Sequence, residues 1–392
     1  MEENNNLKQY HFDPLKYYIS FGFFSFSNGL FSIFINVLFF ASSNISEVIY
    51  FQISLQISQT VFFLLGTYLI AYVSARFLYS LGAFLKAIVI ASLFISPFFS
   101  GNAIYFGLLY GVSSGIFWTG NATFTLAISR SIKRFNFLSI NSALSSLTSL
   151  IAPSIAGLLI AYSISTGIGR YFNDFLLASL LLVVSGIVSL LVRSSGEKGG
   201  QFHISNTIIR EQNYGKFRVF FFASSILGMV MSTLIPVYVF YVTGNYVITG
   251  AYGTVTAFIG FIANILAPYM KRKIKDYVPY AIILVILSSI IYILRFNYSL
   301  ILIFFASSVI LFFITPLSNL GVSEFMQFLD GFKRTRHFWI NREYYLVAGR
   351  VLSLTSILIV ADYFSLYDAM ATLPFFAISV IGYIPALIKK GQ

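Results

Sequence analysis

The chain contains no cysteine, only three histidines, and charged side chains at just 10% of its 392 residues. Without cysteine there are no disulfides and no thiolate metal ligands. His11, His203 and His337 all fall in polar segments between apolar runs. No His-Glu-x-x-His helix and no Walker-type glycine loop can be read anywhere, so neither metal-assisted hydrolysis nor ATP-driven chemistry is expected. No enzyme activity, cofactor or metal is expected. Acidic residues are scarce as well, 13 against 25 Lys and Arg. None is expected near the middle of an apolar run: Glu47, Asp174, Asp362 and Asp368 lie towards one set of run ends, the others towards the opposite ends or in connections. A buried carboxylate relay is therefore not expected.

What fills the chain instead is apolar: 58% hydrophobic residues and a mean hydropathy of +0.83, where a soluble domain carries about 25% charged residues. Crossing a bilayer takes about 20 apolar residues as a helix. The runs here are long enough for helices and too continuous for alternating barrel strands. The sequence predicts an all-α integral membrane protein with twelve spans, near 15–42, 49–74, 77–98, 103–126, 138–164, 172–192, 219–242, 247–270, 277–295, 298–319, 341–361 and 367–388. The polar, glycine-bearing stretch 193–218 is too hydrophilic to cross lipid and divides the chain into 1–192 and 219–392. The start of the chain, MEENNNLKQYHFDPLK, is too polar for a cleavable signal peptide.

Basic residues test that count. Lys8, Lys16, Arg76, Arg130, Lys133, Arg134, the five cations of the dividing stretch, Lys271 to Lys275, Lys333, Arg334, Arg336, Arg342, Lys389 and Lys390 all fall on one side of a twelve-span arrangement. Only Arg170 and Arg295 fall on the other, while Lys86 and Arg350 lie inside spans. By the positive-inside rule both termini and the dividing stretch are expected in the cytoplasm, with the chain in the plasma membrane. The net charge of +12 then reflects topology and contact with the lipid bilayer, not nucleic acid.

The halves also look alike. Ala143 to Ser149 in span five matches Arg350 to Ser356 in span eleven. Two six-span halves, termini on one side and a long central loop resemble the major facilitator superfamily of secondary transporters over essentially the whole chain. Local motifs depart from its pattern: Gly66 is followed by Arg76 with no intervening Asp, Lys271 to Asp276 is basic but irregular, and Ala152-Pro153-Ser154-Ile155-Ala156-Gly157 has Ala for the leading Gly. Asn341 to Arg350 is similar to an Arg-Glu…Gly-Arg pattern of uncharacterised prokaryotic members. The resemblance implies two pseudo-symmetric six-helix bundles around a central cavity, with spans three, six, nine and twelve peripheral.

Polar residues inside spans mark where such a cavity is expected. Gln52, Gln56 and Gln59 share one helical face of span two, and Ser25, Asn28, Ser32 and Asn36 form a stripe on span one. Span four carries Ser114, Trp118, Asn121 and Thr125, and span eight Asn264. The interiors of spans three, six, nine and twelve have no Asn or Gln. Asn28, Asn36, Gln56, Gln59, Trp118, Asn121, Asn264 and Arg350 are the candidate cavity residues, with hydrogen bonding between packed helices as their alternative role. Arg350 suits a carboxylate or phosphate. Lys86, on a peripheral span, suits snorkelling or packing against a carbonyl. Arg76, Arg130, Arg134, Arg342 and Glu343 are the candidate gating charges. The expected function is alternating-access transport of a small polar, amphipathic or anionic solute by a monomer, with the coupling ion left open. The alternatives are a non-transporting lipid scramblase or sensor, and an efflux pump for hydrophobic compounds.

Overall fold

The computed structural model describes residues 14–70, 72–95, 101–131, 134–192, 214–270, 274–293, 300–329, 332 and 336–387. Most of the stretch 193–218 falls outside these, as do Lys271 to Lys273. Every regular element among the described residues is helical: α1 (Pro14–Ser42), α2 (Ile45–Leu69), α3 (Ala75–Ile95), α4 (Ala103–Ser131), α5 (Arg134–Thr166), α6 (Phe172–Leu190), α7 (Gly215–Thr243), α8 (Tyr246–Met270), α9 (Ile274–Ile290), α10 (Leu300–Leu329) and α11 (Arg336–Tyr363). A twelfth span, Leu366–Leu387, is built from α12 (Leu366–Ala371), α13 (Leu373–Ala377), a 3-10 turn (Ile378–Tyr383) and α14 (Ile384–Leu387).

Ten of these helices are long and apolar enough to cross a membrane, while α9 contributes the shorter apolar run Asp276–Ile290. Glycine, serine and threonine dilute the apolar side chains of α4, which is not among the ten. Local chemistry sets several ends. Asn44 caps α2 by accepting from the backbone N–H of Glu47 (3.1 Å), and Ser365 caps α12 by accepting from that of Asp368 (3.2 Å). Gly244, at φ 59°, takes the left-handed turn that ends α7.

The packing repeats with a period of six helices. In the first half α1 packs on α5 and α6, and α4 on α2 and α3; in the second, α7 packs on α11 and the twelfth span, and α10 on α8 and α9. Two seams join the halves and exchange under the same operation: α5 against α8, and α11 against α2. A third contact, α1 against α7, maps onto itself. These are two pseudo-symmetric six-helix bundles related by an approximate two-fold axis. Small residues make the closest approaches. Along α4, Gly107, Gly111 and Gly115 lie on successive turns, and a Cβ on each would come within 2.5–2.6 Å of the carbonyl oxygens of Phe51, Leu55 and Gln59 in α2. Only glycine lets these two backbones touch.

Candidate functional site

A cavity of about 380 Å³ lies where the halves meet, lined from α1, α2, α4, α7, α8 and α10. Its walls are largely apolar and aromatic, with Phe31, Phe51, Tyr110 and Tyr252 among them, and Leu227, Met231, Ile310 and Ile314 between. Asn36, Gln52, Ser32, Ser232 and Thr256 add polarity, and among the described residues no charged side chain lines it. The tyrosine hydroxyls are engaged elsewhere: Tyr110 donates to Asn28 Oδ1 (3.4 Å) and Tyr252 to Ser307 Oγ (3.2 Å). Ser232 and Thr256 donate to carbonyls of their own helices. The face where α1 begins is called here the N-terminal face. At the opposite face, beyond the cavity, Phe40 of α1 meets Tyr241 of α7 edge-on (5.9 Å), Phe34 packs near Tyr246 of α8 (6.4 Å), and Ser46 donates to Asp362 (2.6 Å) between α2 and α11.

Two amides mark one wall. Gln52 Nε2 donates to Asn36 Oδ1 at 2.7 Å, joining α1 and α2, and both residues are more than nine-tenths buried, at 8% and 2% exposed. One turn further along α2, Gln56 Oε1 accepts from Arg350 Nη1 at 2.9 Å and Gln56 Nε2 lies 3.7 Å from Met229 Sδ. Gln56 thus ties α2 to α11 and α7 across the junction, about 6 Å along the axis from Gln52 at 1.5 Å per residue. Neither Gln56 nor Arg350 is among its lining residues.

The other candidate residues fall into separate places. Asn28, two turns before Asn36 on α1, is not among the lining residues, and its Oδ1 accepts from Lys86 Nζ at 3.3 Å. Lys86 does not snorkel. It is 3% exposed, with its ammonium over the rings of Tyr110 (4.4 Å) and Phe24 (4.9 Å). Asn121 accepts from the Tyr17 hydroxyl (3.1 Å). Trp118, 37% exposed, stands edge-on to Phe117 and Phe24. Asn264 bonds Ser146 of α5 (3.1 Å) and Asn319 of α10 (2.6 Å), with Ser142 continuing the chain to Asn319 (3.4 Å). It therefore belongs to a polar strip between the halves towards the N-terminal face. Gln59 is half-buried, and its backbone rests against Gly111 and Gly115.

Among the charges, Arg342 pairs with its neighbour Glu343 at 3.0 Å and lays its guanidinium over Phe221 and Trp339. Arg76 donates to the carbonyls of Leu190 and Val192 (3.3 and 3.4 Å), closing the end of α6 within its own half. The side chains of Arg130 and Arg134 lie outside the described residues. Asp174, grouped above with carboxylates near a membrane face, is wholly buried in the first turn of α6, and neither of its oxygens has a hydrogen-bond partner among the described residues. Sequence patterning passed over Tyr110, Tyr252, Thr256 and Gly228. Only the open space at Gly228, where an added Cβ meets nothing within 4 Å, distinguishes it, and that is visible in three dimensions alone.

No family model matches the chain. A curated relative, the uncharacterised protein YqgE of Bacillus subtilis (strain 168), is 24% identical over 258 residues, which is 64% of this chain and 59% of that protein's length. Among solved structures, a bacterial homologue of the iron transporter ferroportin in its inward-facing state matches with a TM-score of 0.68 at 12% identity, covering 94% of this chain and 98% of that one. The E. coli fucose:proton symporter FucP matches at 0.64 and 13% identity, covering 94% and 97%.

Proposed function

We propose, taking the major facilitator fold as premise, that this multi-pass membrane protein is a secondary carrier moving a small solute by alternating access. One observation carries the reading. The cavity is walled by helices of both halves, and the contacts that seal it at the opposite face, Phe40 with Tyr241 and Ser46 with Asp362, run between those halves. Rocking one half against the other breaks these contacts and opens the cavity to that face. The units that rock are residues 1–192 and 219–392, joined by 193–218. The N-terminal face is cytoplasmic on the positive-inside rule, in the plasma membrane. The molecule works as a monomer, and no catalytic step is assigned to it.

The uncharged lining favours an uncharged or amphipathic solute over an anion, because a charge brought into an apolar, unpaired site loses hydration without replacement. Its aromatic walls also suit export of a hydrophobic compound, which is the second reading. A chain without cysteine is a clean background for a direct test. Spin labels on Ser46→Cys and Asp362→Cys in liposomes are expected to give two distance populations, one short and one lengthened as the seal opens. A single short distance under every condition sinks the alternating-access reading.

A further inference from the structure

We infer that the cavity is a site for a small, neutral, planar solute carrying an amide-like donor–acceptor edge, such as a carboxamide, a lactam or a pyrimidine base. Asn36 and Gln52 pair with each other through one donor and one acceptor. That leaves the whole NH2 of one side chain, the second N–H of the other and one amide oxygen without a protein partner among the described residues, and exchanging the O and N atoms of both side chains leaves the same complement. A ligand that strips these groups of water without replacing their hydrogen bonds is disfavoured, so one presenting the matching edge, its acceptor to the free NH2 and its donor to the free oxygen, is selected over one that does not. The hydroxyls of Tyr110, Tyr252, Ser232 and Thr256 are already donated elsewhere. What those tyrosines offer is ring surface, beside Phe31, which stacks on Tyr110 at 5.3 Å. A flat ring fits such walls. With no charge among the described lining residues, an anion of the same shape finds no counterion there.

The assignment concerns binding; its link to passage through the membrane rests on the carrier reading above. The test uses the purified full chain in detergent with nicotinamide and uracil as neutral probes and nicotinate as the anion of nicotinamide's size. Nicotinamide and uracil are expected to raise the melting temperature in a saturable way and nicotinate to leave it unchanged at equal concentration. Gly228→Leu, whose side chain enters open cavity space, is expected to abolish the shift, and Asn36→Leu and Gln52→Leu to weaken it at least tenfold in concentration. Equal stabilisation by nicotinate, no shift with either neutral probe, or an unaltered response in Gly228→Leu overturns the assignment. Counterflow of labelled nicotinamide in proteoliposomes separates the two ideas: saturable, Gly228-sensitive binding without counterflow upholds the ligand class and overturns carriage.

Discussion

Arg350 and Lys86 are two cations set in apolar helices, and the structure gives them different surroundings. Arg350 reaches across the junction to Gln56, so the two should be energetically coupled. Gln56→Leu is expected to destabilise the protein by about 1.5–3 kcal/mol, the usual range for a hydrogen bond to a charged group. Adding Arg350→Met should recover part of that loss, because the guanidinium is then no longer left without its acceptor. Melting curves of the four proteins in one detergent check this; strict additivity would remove the coupling. Lys86 has Asn28 Oδ1 and two ring faces but no ion pair among the described residues. Lys86→Met is therefore expected to hold or raise the melting temperature, whereas Asn28→Leu, which takes away the acceptor, should lower it. Sequence spacing singled out Asn36, Gln52 and Gln56 because amides are rare in these helices and stand out at helical intervals; of the three, Asn36 and Gln52 line the cavity. It could not find Tyr110 or Tyr252 among 44 Phe and 26 Tyr, since a ring that lines a cavity and a ring that packs a core look the same in one dimension. It also aimed Arg350 at the cavity, whereas its guanidinium donates to Gln56 and is not part of the lining.

Helix number was legible from hydropathy, but helix length was not. The spans expected at 298–319 and 341–361 are helices running Leu300–Leu329 and Arg336–Tyr363. Hydropathy registers only residues suited to hydrocarbon, while backbone hydrogen bonding continues past it into water. This is why α11 begins at Arg336, five residues before the expected start of its span at Asn341. Close packing rests on glycine: Gly111 and Gly115 set α4 directly against the backbone of α2. Gly111→Val should push α4 off the Leu55 carbonyl and cost at least about 1–3 kcal/mol, the range for overpacking. Gly228→Ala, in open space, should change the melting temperature little. A reversal of that order would mean the α2–α4 seam is looser than its backbone distances imply.

Across the whole molecule, the dyad that exchanges the α5–α8 seam with the α11–α2 seam was anticipated by the six-and-six division and by the match of Ala143–Ser149 with Arg350–Ser356. The conformation was not. Nothing in the order of residues says that aromatic side chains from α1, α7 and α8 meet above the cavity, because the contacts lie hundreds of residues apart in sequence. A disulfide between Ser46→Cys and Asp362→Cys, formed under mild oxidation, should hold the opposite face shut and stop exchange across vesicles until a reductant is added. Asn36 and Gln52 both belong to the first half, on α1 and α2. On the carrier reading proposed above, a solute gripped by that pair would be a passenger on one moving body: its hydrogen bonds would not have to be remade during the swing, and the second half, passing over it with Tyr252 and Thr256, would supply whatever difference in grip exists between one side of the membrane and the other.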